Sequence, residues 1–228
     1  MGIVENLHNI QQKIAAAARR CGRDPQEVTL IAVSKTVGLK AVEQAMALGL
    51  THFGENRAQE LKQKQGHFPE ARWHMIGRLQ TNKVKDVVGT AALVHSLDRW
   101  SLAEELDKRG GLMGIEVPAL LQVSLAGEAQ KTGVLVPDIE EFLQSVGQLK
   151  WLRIKGLMTM APLSEDSEES RPIFKELHEI YRCYKRRTCQ NVEMRHLSMG
   201  MSQDFESAIE EGATMIRVGT ALFGEQNR

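Results

Sequence analysis

This chain of 228 residues has few cysteines, few aromatic residues and no excess of either charge, and these shortages exclude several classes of protein. Cysteine is scarce: Cys21, Cys183 and Cys189 form an odd set without CxxC spacing, which argues against a disulfide framework or a zinc site and fits a reducing compartment. Aromatic residues make up only 5%, and neither charge sign is in excess, since Lys+Arg and Asp+Glu both total 29. A nucleic-acid surface normally shows a basic bias and stacking aromatics, so that class is disfavoured.

Long apolar runs are also lacking. No stretch approaches the ~18 residues that a membrane-spanning helix needs, and the start, MGIVENLHN, lacks the apolar segment of a secretory signal. We therefore expect a cytoplasmic protein. No Pro-, Gly- or Ser-rich linker interrupts the chain, so we expect a single domain over residues 1–228.

Hydrophobic periodicity predicts short strands that alternate with helices, after an additional N-terminal helix at about 3–20. The predicted strands are 28–34, 51–54, 72–77, 92–97, 118–125, 152–158, 192–198 and 214–219, and the helices between them include one from about residue 82. Such alternation implies right-handed βαβ units and a parallel sheet. Eight units favour a single α/β (β/α)8 TIM barrel. A doubly wound sheet is the alternative, but the first turn, SKTVG, has no GxGxxG.

In such a barrel, the residues that follow the strands gather at one face. Lys35 ends the first strand and Asn56 follows the second. Arg217 lies two residues before Gly219, so both face the same side of the last strand. The last two strands are followed by hydroxyls and glycines that can cradle a phosphate, although single glycines there also serve as turns: Ser198, Gly200, Ser202, Gly219 and Thr220.

Lys35 stands where an apolar strand meets this face. A lysine amine in such a site can form a Schiff base. Sugar phosphates and pyridoxal phosphate both join a carbonyl group to a phosphate. The residues therefore leave three alternatives open: a Schiff-base aldolase, a pyridoxal phosphate protein, and an ordinary surface or salt-bridged lysine.

Seven motifs, in order from about residue 26 to 224, resemble the pyridoxal phosphate homeostasis proteins: AVSKT, HFGENRAQE, WHMIGRLQTNK, KTGV, GLMTMAP, LSMGMSQDFESAI and IRVGTALFG. The resemblance implies a fold-type III barrel that holds pyridoxal 5′-phosphate (PLP) as a Schiff base on Lys35. It further implies a protein without established turnover that keeps free PLP low and supplies it to apo-enzymes.

The motifs are more distantly similar to the barrel domain of alanine racemase. This similarity implies that Arg217 contacts the pyridine nitrogen and keeps it unprotonated, which weakens the ring as an electron sink. It also implies that Ser198, Gly219 and Thr220 hold the phosphate. We expect Asn56 and Met158 to complete the cofactor site, with core packing as the alternative for Met158 or Met160.

A PLP-dependent amino-acid racemase is the alternative function. Two-base racemisation needs an acid–base group on each face of the substrate Cα. The racemase supplies a tyrosine from a second domain, whereas this chain ends at residue 228 and its two tyrosines, Tyr181 and Tyr184, lie in a predicted helix. We therefore expect a monomeric, non-catalytic PLP-binding protein without a metal, a nucleic-acid partner or a membrane partner.

Three further residues lie near strand ends or in loops. Lys131, in QKTG, is a secondary lysine for the ligand, a lysine that binds substrate-like carboxylates, or an ordinary loop lysine. His74 and His196 lie near strand ends, and we interpret both as structural histidines whose hydrogen bonds are satisfied.

Overall fold

Eight parallel strands close into a barrel in the computed structural model, which confirms the predicted (β/α)8 fold. The structure describes residues 2–125, 132–162, 164 and 166–224. The strands are β1 (Thr29–Val33), β2 (His52–Glu55), β3 (Arg72–Met75), β4 (Leu93–Leu97), β5 (Val117–Ser124), β6 (Val134–Leu135), β7 (Leu152–Met158), β8 (Val192–Ser198) and β9 (Met215–Val218). Pairing of β4 with β5 closes the order β4-β3-β2-β1-β9-β8-β7-β5, and the two-residue β6 extends β5 outside the ring.

Helices follow most strands and cover the outside of the barrel. They are α1 (Ile3–Arg20), α2 (Leu39–Ala47), α3 (Ala58–His67), α4 (Trp100–Met113), α5 (Ile139–Val146), α6 (Arg171–Lys185), α7 (Phe205–Glu210) and α8 (Thr220–Phe223). The helix predicted from about residue 82 is present as a 3-10 helix, Thr81–Asp86, in which only Val84 is buried. Within the described residues, no helix combines the length and apolar character needed to cross a membrane.

Apolar side chains pack on both sides of the strands. The larger cluster lies between the strands and the helices and includes Phe53, Trp73 and Phe174. A second, smaller cluster lies inside the barrel and is formed by Ile31, Leu93, Leu120, Met158 and Met215. Polar side chains from four strands share the buried part of the molecule with these clusters: His74, His95, Ser198 and Arg217.

Candidate functional site

A cavity of about 570 Å³ opens where the strands end. Five of the seven residues that we predicted to bind a cofactor line it: Lys35, Asn56, Arg217, Gly219 and Thr220. Other residues of its wall are Val33, Ile76, Met160, Met201, Ser202 and Asp204. This volume is typical of small-molecule sites, and so is the combination of apolar walls with a few polar groups.

The turn after β1 presents Lys35 to the cavity. The Val37 N–H donates to the Ser34 carbonyl at 2.9 Å, and Thr36 adopts a φ of 63°, in the left-handed region. The same Ser34 carbonyl accepts a hydrogen bond from Lys64 Nζ at 2.6 Å. The backbone before Lys35 is therefore held from two sides, while the Lys35 side chain is exposed.

A buried ion pair lies beneath this turn. Lys64 Nζ donates to Glu55 Oε1 at 2.7 Å, and Ser34 Oγ donates to the same oxygen at 2.6 Å. Glu55 is fully buried and Lys64 nearly so. Burial raises the pKa of Glu55, while the hydrogen bonds from Lys64 and Ser34 act to lower it. Glu55 Oε2 has no hydrogen-bond partner among the described residues, so the carboxyl depends on Lys64 and Ser34.

Backbone donors border the cavity in the loop that follows β9. The N–H groups of Gly219 and Ala221 both point at Ser202 Oγ, at 3.3 and 3.4 Å. Gly219 packs closely on β1, since a Cβ built on it would stand 3.3 Å from Val33. Successive backbone N–H groups with neighbouring hydroxyls, including that of Thr220, form a concavity suited to a phosphate.

Two of the predicted cofactor residues lie below the cavity instead of along it. Ser198 is fully buried at the end of β8, and its Oγ accepts a hydrogen bond from Arg217 Nη1 at 2.7 Å. Met158 is fully buried in the apolar cluster inside the barrel. Ser202 and Met160 border the cavity in their place. Ser198 and Met158 lie below the cavity for the same reason, since each ends a strand with its side chain turned into the barrel. Ser202 and Met160 lie beyond the ends of the same strands, in the loops that border the cavity.

Arg217 contributes a fixed positive charge to the cavity wall. Its side chain is held by two acceptors, Ser198 Oγ at 2.7 Å and the Thr159 carbonyl at 3.0 Å. Burial lowers the pKa of Arg217 to about 10, and the Asp204 carboxylate acts in the opposite direction. The guanidinium therefore stays protonated at neutral pH and offers only hydrogen-bond donors to a ligand.

A row of histidines continues from Ser198 into the barrel. His95 Nδ1 lies 2.9 Å from Ser198 Oγ, His74 Nδ1 lies 2.9 Å from His95 Nε2, and His52 Nδ1 lies 2.9 Å from His74 Nε2. Burial lowers the pKa of His74 to about 3 and that of His95 well below its ordinary value, so both rings are neutral at pH 7. The hydrogen bonds of His74 agree with the structural interpretation, whereas sequence reasoning missed His95, which carries no motif.

A neighbouring depression and the two tyrosines do not contribute to the Lys35 cavity. A depression of about 780 Å³ adjoins the cavity at Asn56, but it is lined by α3 and the 3-10 helix and holds neither Lys35 nor the glycine loop. Tyr181 donates its hydroxyl to the Met194 carbonyl, and Tyr184 donates to Glu140, so neither tyrosine borders the cavity. Lys131 lies outside the described residues.

Curated relatives named pyridoxal phosphate homeostasis protein match almost the full chain. The one from Aquifex aeolicus is 42% identical over 99% of this chain and 99% of its own length. The Pseudomonas aeruginosa protein is 39% identical over 99% and 96%, and the Escherichia coli K12 protein is 36% identical over 99% and 97%.

Solved structures and a family model agree with these relatives. PipY from Synechococcus elongatus PCC7942 is 39% identical without PLP and 38% identical in a structure with PLP bound, each with a TM-score of 0.82 over 94% of this chain and 100% of PipY. Alanine racemase from Corynebacterium glutamicum has a TM-score of 0.69 at 14% identity, over 96% of this chain and 61% of the racemase, which shows the fold alone. The family model for the alanine racemase N-terminal domain matches residues 6–227. The chain therefore belongs to the pyridoxal phosphate homeostasis protein family, which is built on the alanine racemase type of barrel.

Proposed function

We propose that this protein binds PLP in the Lys35 cavity and takes part in intracellular PLP homeostasis. One observation carries the proposal: an amine, a buried guanidinium and a cradle of backbone donors border a single cavity of about 570 Å³. The names of the relatives and the PipY structure with PLP bound support it. When bound, PLP supplies an aldehyde that condenses with a lysine amine to a Schiff base, and we assign that amine to Lys35.

The polar groups of the cavity match the chemistry of this ligand. The N–H groups of Gly219 and Ala221 and the hydroxyls of Ser202 and Thr220 suit the phosphate. Arg217 only donates hydrogen bonds, so it suits an unprotonated ring nitrogen. The apolar walls that flank a flat ring come from Val33, Ile76 and Met160.

We propose storage and delivery of PLP instead of catalytic turnover. Racemisation would need a second acid–base group opposite Lys35, and the hydroxyls of Tyr181 and Tyr184 are engaged at α6, away from the cavity. We further propose that residues 1–228 form a single PLP-binding domain, that the protein acts as a monomer in the cytoplasm, and that apo-enzymes receive its PLP.

Titration with PLP tests the binding proposal. We expect a yellow chromophore in the wild type and in Lys40→Ala, a matched change at an exposed lysine of α2. In Lys35→Ala, we expect loss of the chromophore and a dissociation constant raised at least ~10-fold, because the covalent bond is lost. A chromophore that persists in Lys35→Ala contradicts the assignment, and Lys131→Ala is then the next variant to titrate.

Two assays separate delivery from turnover. The loaded protein should reactivate an apo-enzyme, whereas the borohydride-reduced protein should not. Deuterium at the α-carbon of alanine or serine should be retained at high protein concentration. Measurable loss of deuterium would favour the racemase alternative, and retention of a yellow chromophore on purification would exclude a Schiff-base aldolase.

A further inference from the structure

An unbroken series of hydrogen bonds joins the amino-terminal end of β2 to the cavity wall. It runs from His52 through His74, His95 and Ser198 to Arg217, with contacts of 2.9, 2.9, 2.9 and 2.7 Å. The last four members are at most 4% exposed, and His52 is half-buried. The residues come from five different strands, so only the closed barrel brings them together.

The chemistry of Arg217 and the buried Ser198 hydroxyl sets the direction of the bonds in this series. A guanidinium has no acceptor, so Ser198 Oγ accepts from Arg217. Among the described residues, His95 Nδ1 is the other hydrogen-bond partner of this oxygen, so the buried hydroxyl satisfies its proton by donating to His95 Nδ1. A neutral imidazole has one donor and one acceptor nitrogen, so His95 donates from Nε2 to His74 Nδ1. His74 in turn donates from Nε2 to His52 Nδ1.

We propose that His52, His74, His95 and Ser198 form a one-way hydrogen-bond chain that positions Arg217 toward the cavity. The three histidines act as positioning residues: they hold Ser198 Oγ with its lone pair toward the guanidinium, and Arg217 in return keeps each histidine in its Nε2–H tautomer. This hydrogen-bond chain rests on the proposed function and deepens it, because it holds in one position the guanidinium that would face the PLP ring. A protonated histidine would have two donor nitrogens, so the chain requires three neutral rings.

The tautomers are directly measurable. In long-range ¹H–¹⁵N NMR spectra of the full-length protein at pH 7, before addition of PLP, we expect His52, His74 and His95 to be neutral and to carry their proton on Nε2. An Nδ1–H tautomer or a charged ring at any of the three overturns the proposal. This readout needs no ligand, so it remains informative if the protein does not bind PLP.

Two buried serines provide a matched pair of variants. Ser198→Ala removes the link between His95 and Arg217, whereas Ser207→Ala removes an equally buried hydroxyl of α7 that bonds Glu168. In Ser198→Ala, we expect a mixture of tautomers at His95 and a dissociation constant for PLP raised about 10-fold, since a hydrogen bond to a charged group is lost. Ser207→Ala should change neither quantity.

The outcomes distinguish failure of the hydrogen-bond chain from failure of the proposed function. Unchanged His95 tautomers in a folded Ser198→Ala variant overturn the hydrogen-bond chain, whatever happens to PLP affinity. A wild type that shows the expected tautomers but binds no PLP supports the chain and rejects the proposed function. If Ser198→Ala fails to fold, His52→Leu serves instead: the Nε2 proton of His74 should exchange faster with solvent, and His52→Gln, which keeps an acceptor, should restore slow exchange. Equal exchange in both His52 variants and the wild type overturns the chain.

Discussion

Replacing Lys64 by methionine should strongly destabilise the protein. Lys64 donates to Glu55 Oε1 at 2.7 Å and to the Ser34 carbonyl at 2.6 Å, and the Glu55 carboxyl is fully buried with Oε2 unpartnered among the described residues. Without Lys64, this carboxyl keeps only the Ser34 hydroxyl. Removing one partner of a buried pair costs about 3–5 kcal/mol. A chain of this size loses roughly 3 °C of melting temperature per kcal/mol, so we expect a decrease of about 10 °C.

Urea unfolding followed by circular dichroism at pH 7 measures this loss. Lys62→Met is the matched control, because Lys62 also lies on α3 but is 62% exposed in its pair with Asp86, and such pairs contribute less than ~1 kcal/mol. The double variant Glu55→Leu with Lys64→Met should recover most of the stability, since no unpaired charge remains buried. Equal free energies of unfolding for Lys64→Met and Lys62→Met would show that the buried pair with Glu55 contributes no more than the exposed pair with Asp86.

Three further predictions test other parts of the molecule. Lowering the pH from 7 to 5 should decrease the free energy of unfolding. Burial lowers the pKa of His52, His74, His95, His178 and His196, so the unfolded chain binds protons that the folded chain does not, whereas burial raises the pKa of Glu55, which opposes the loss with one group against five. A flat urea-midpoint profile would contradict this prediction. Gly156→Ala should decrease the free energy of unfolding by ~3 kcal/mol or more, because its Cβ would stand 1.8 Å from the His196 carbonyl oxygen. Gly114→Ala, where φ is also positive but the space is open, should decrease it by only ~1 kcal/mol. Equal decreases in urea unfolding would show that the clash at Gly156 does not determine the loss. Ser202→Ala should raise the dissociation constant for PLP about five-fold in fluorescence titrations, and unchanged affinity would remove Ser202 from the phosphate site.

The barrel was predictable because its signal is local and repeated. Each strand shows as an apolar run, and each is followed by a helix or a turn, so the ends of the strands could be located within a few residues. The position of Lys35 at the end of β1 therefore placed it at the cavity, as did those of Asn56 and Gly219. The helix from about residue 82 was predicted, but its 3-10 form, Thr81–Asp86, was not, since its few apolar residues fit either kind of helix.

The buried polar contacts were not predictable from the sequence. Ser198 and Ser202 both stand in sequence positions that suit a phosphate loop. Only the direction of each side chain shows that Ser198 is the buried partner of Arg217 and that Ser202 borders the cavity. Glu55 and Lys64 lie nine positions apart, at a strand end and on a helix, where charged residues are common, so the sequence does not indicate that they form a buried pair. The link between His95 and Ser198 spans 103 positions and depends on closure of the barrel.

Borohydride trapping tests whether Lys35 holds PLP. The purified protein is loaded with PLP, reduced with borohydride, digested and mapped by mass spectrometry. We expect a yellow protein that is bleached by borohydride and carries a reduced pyridoxyl group on the peptide containing Lys35. A label on Lys131 or another lysine alone, or no chromophore after addition of PLP, would contradict it.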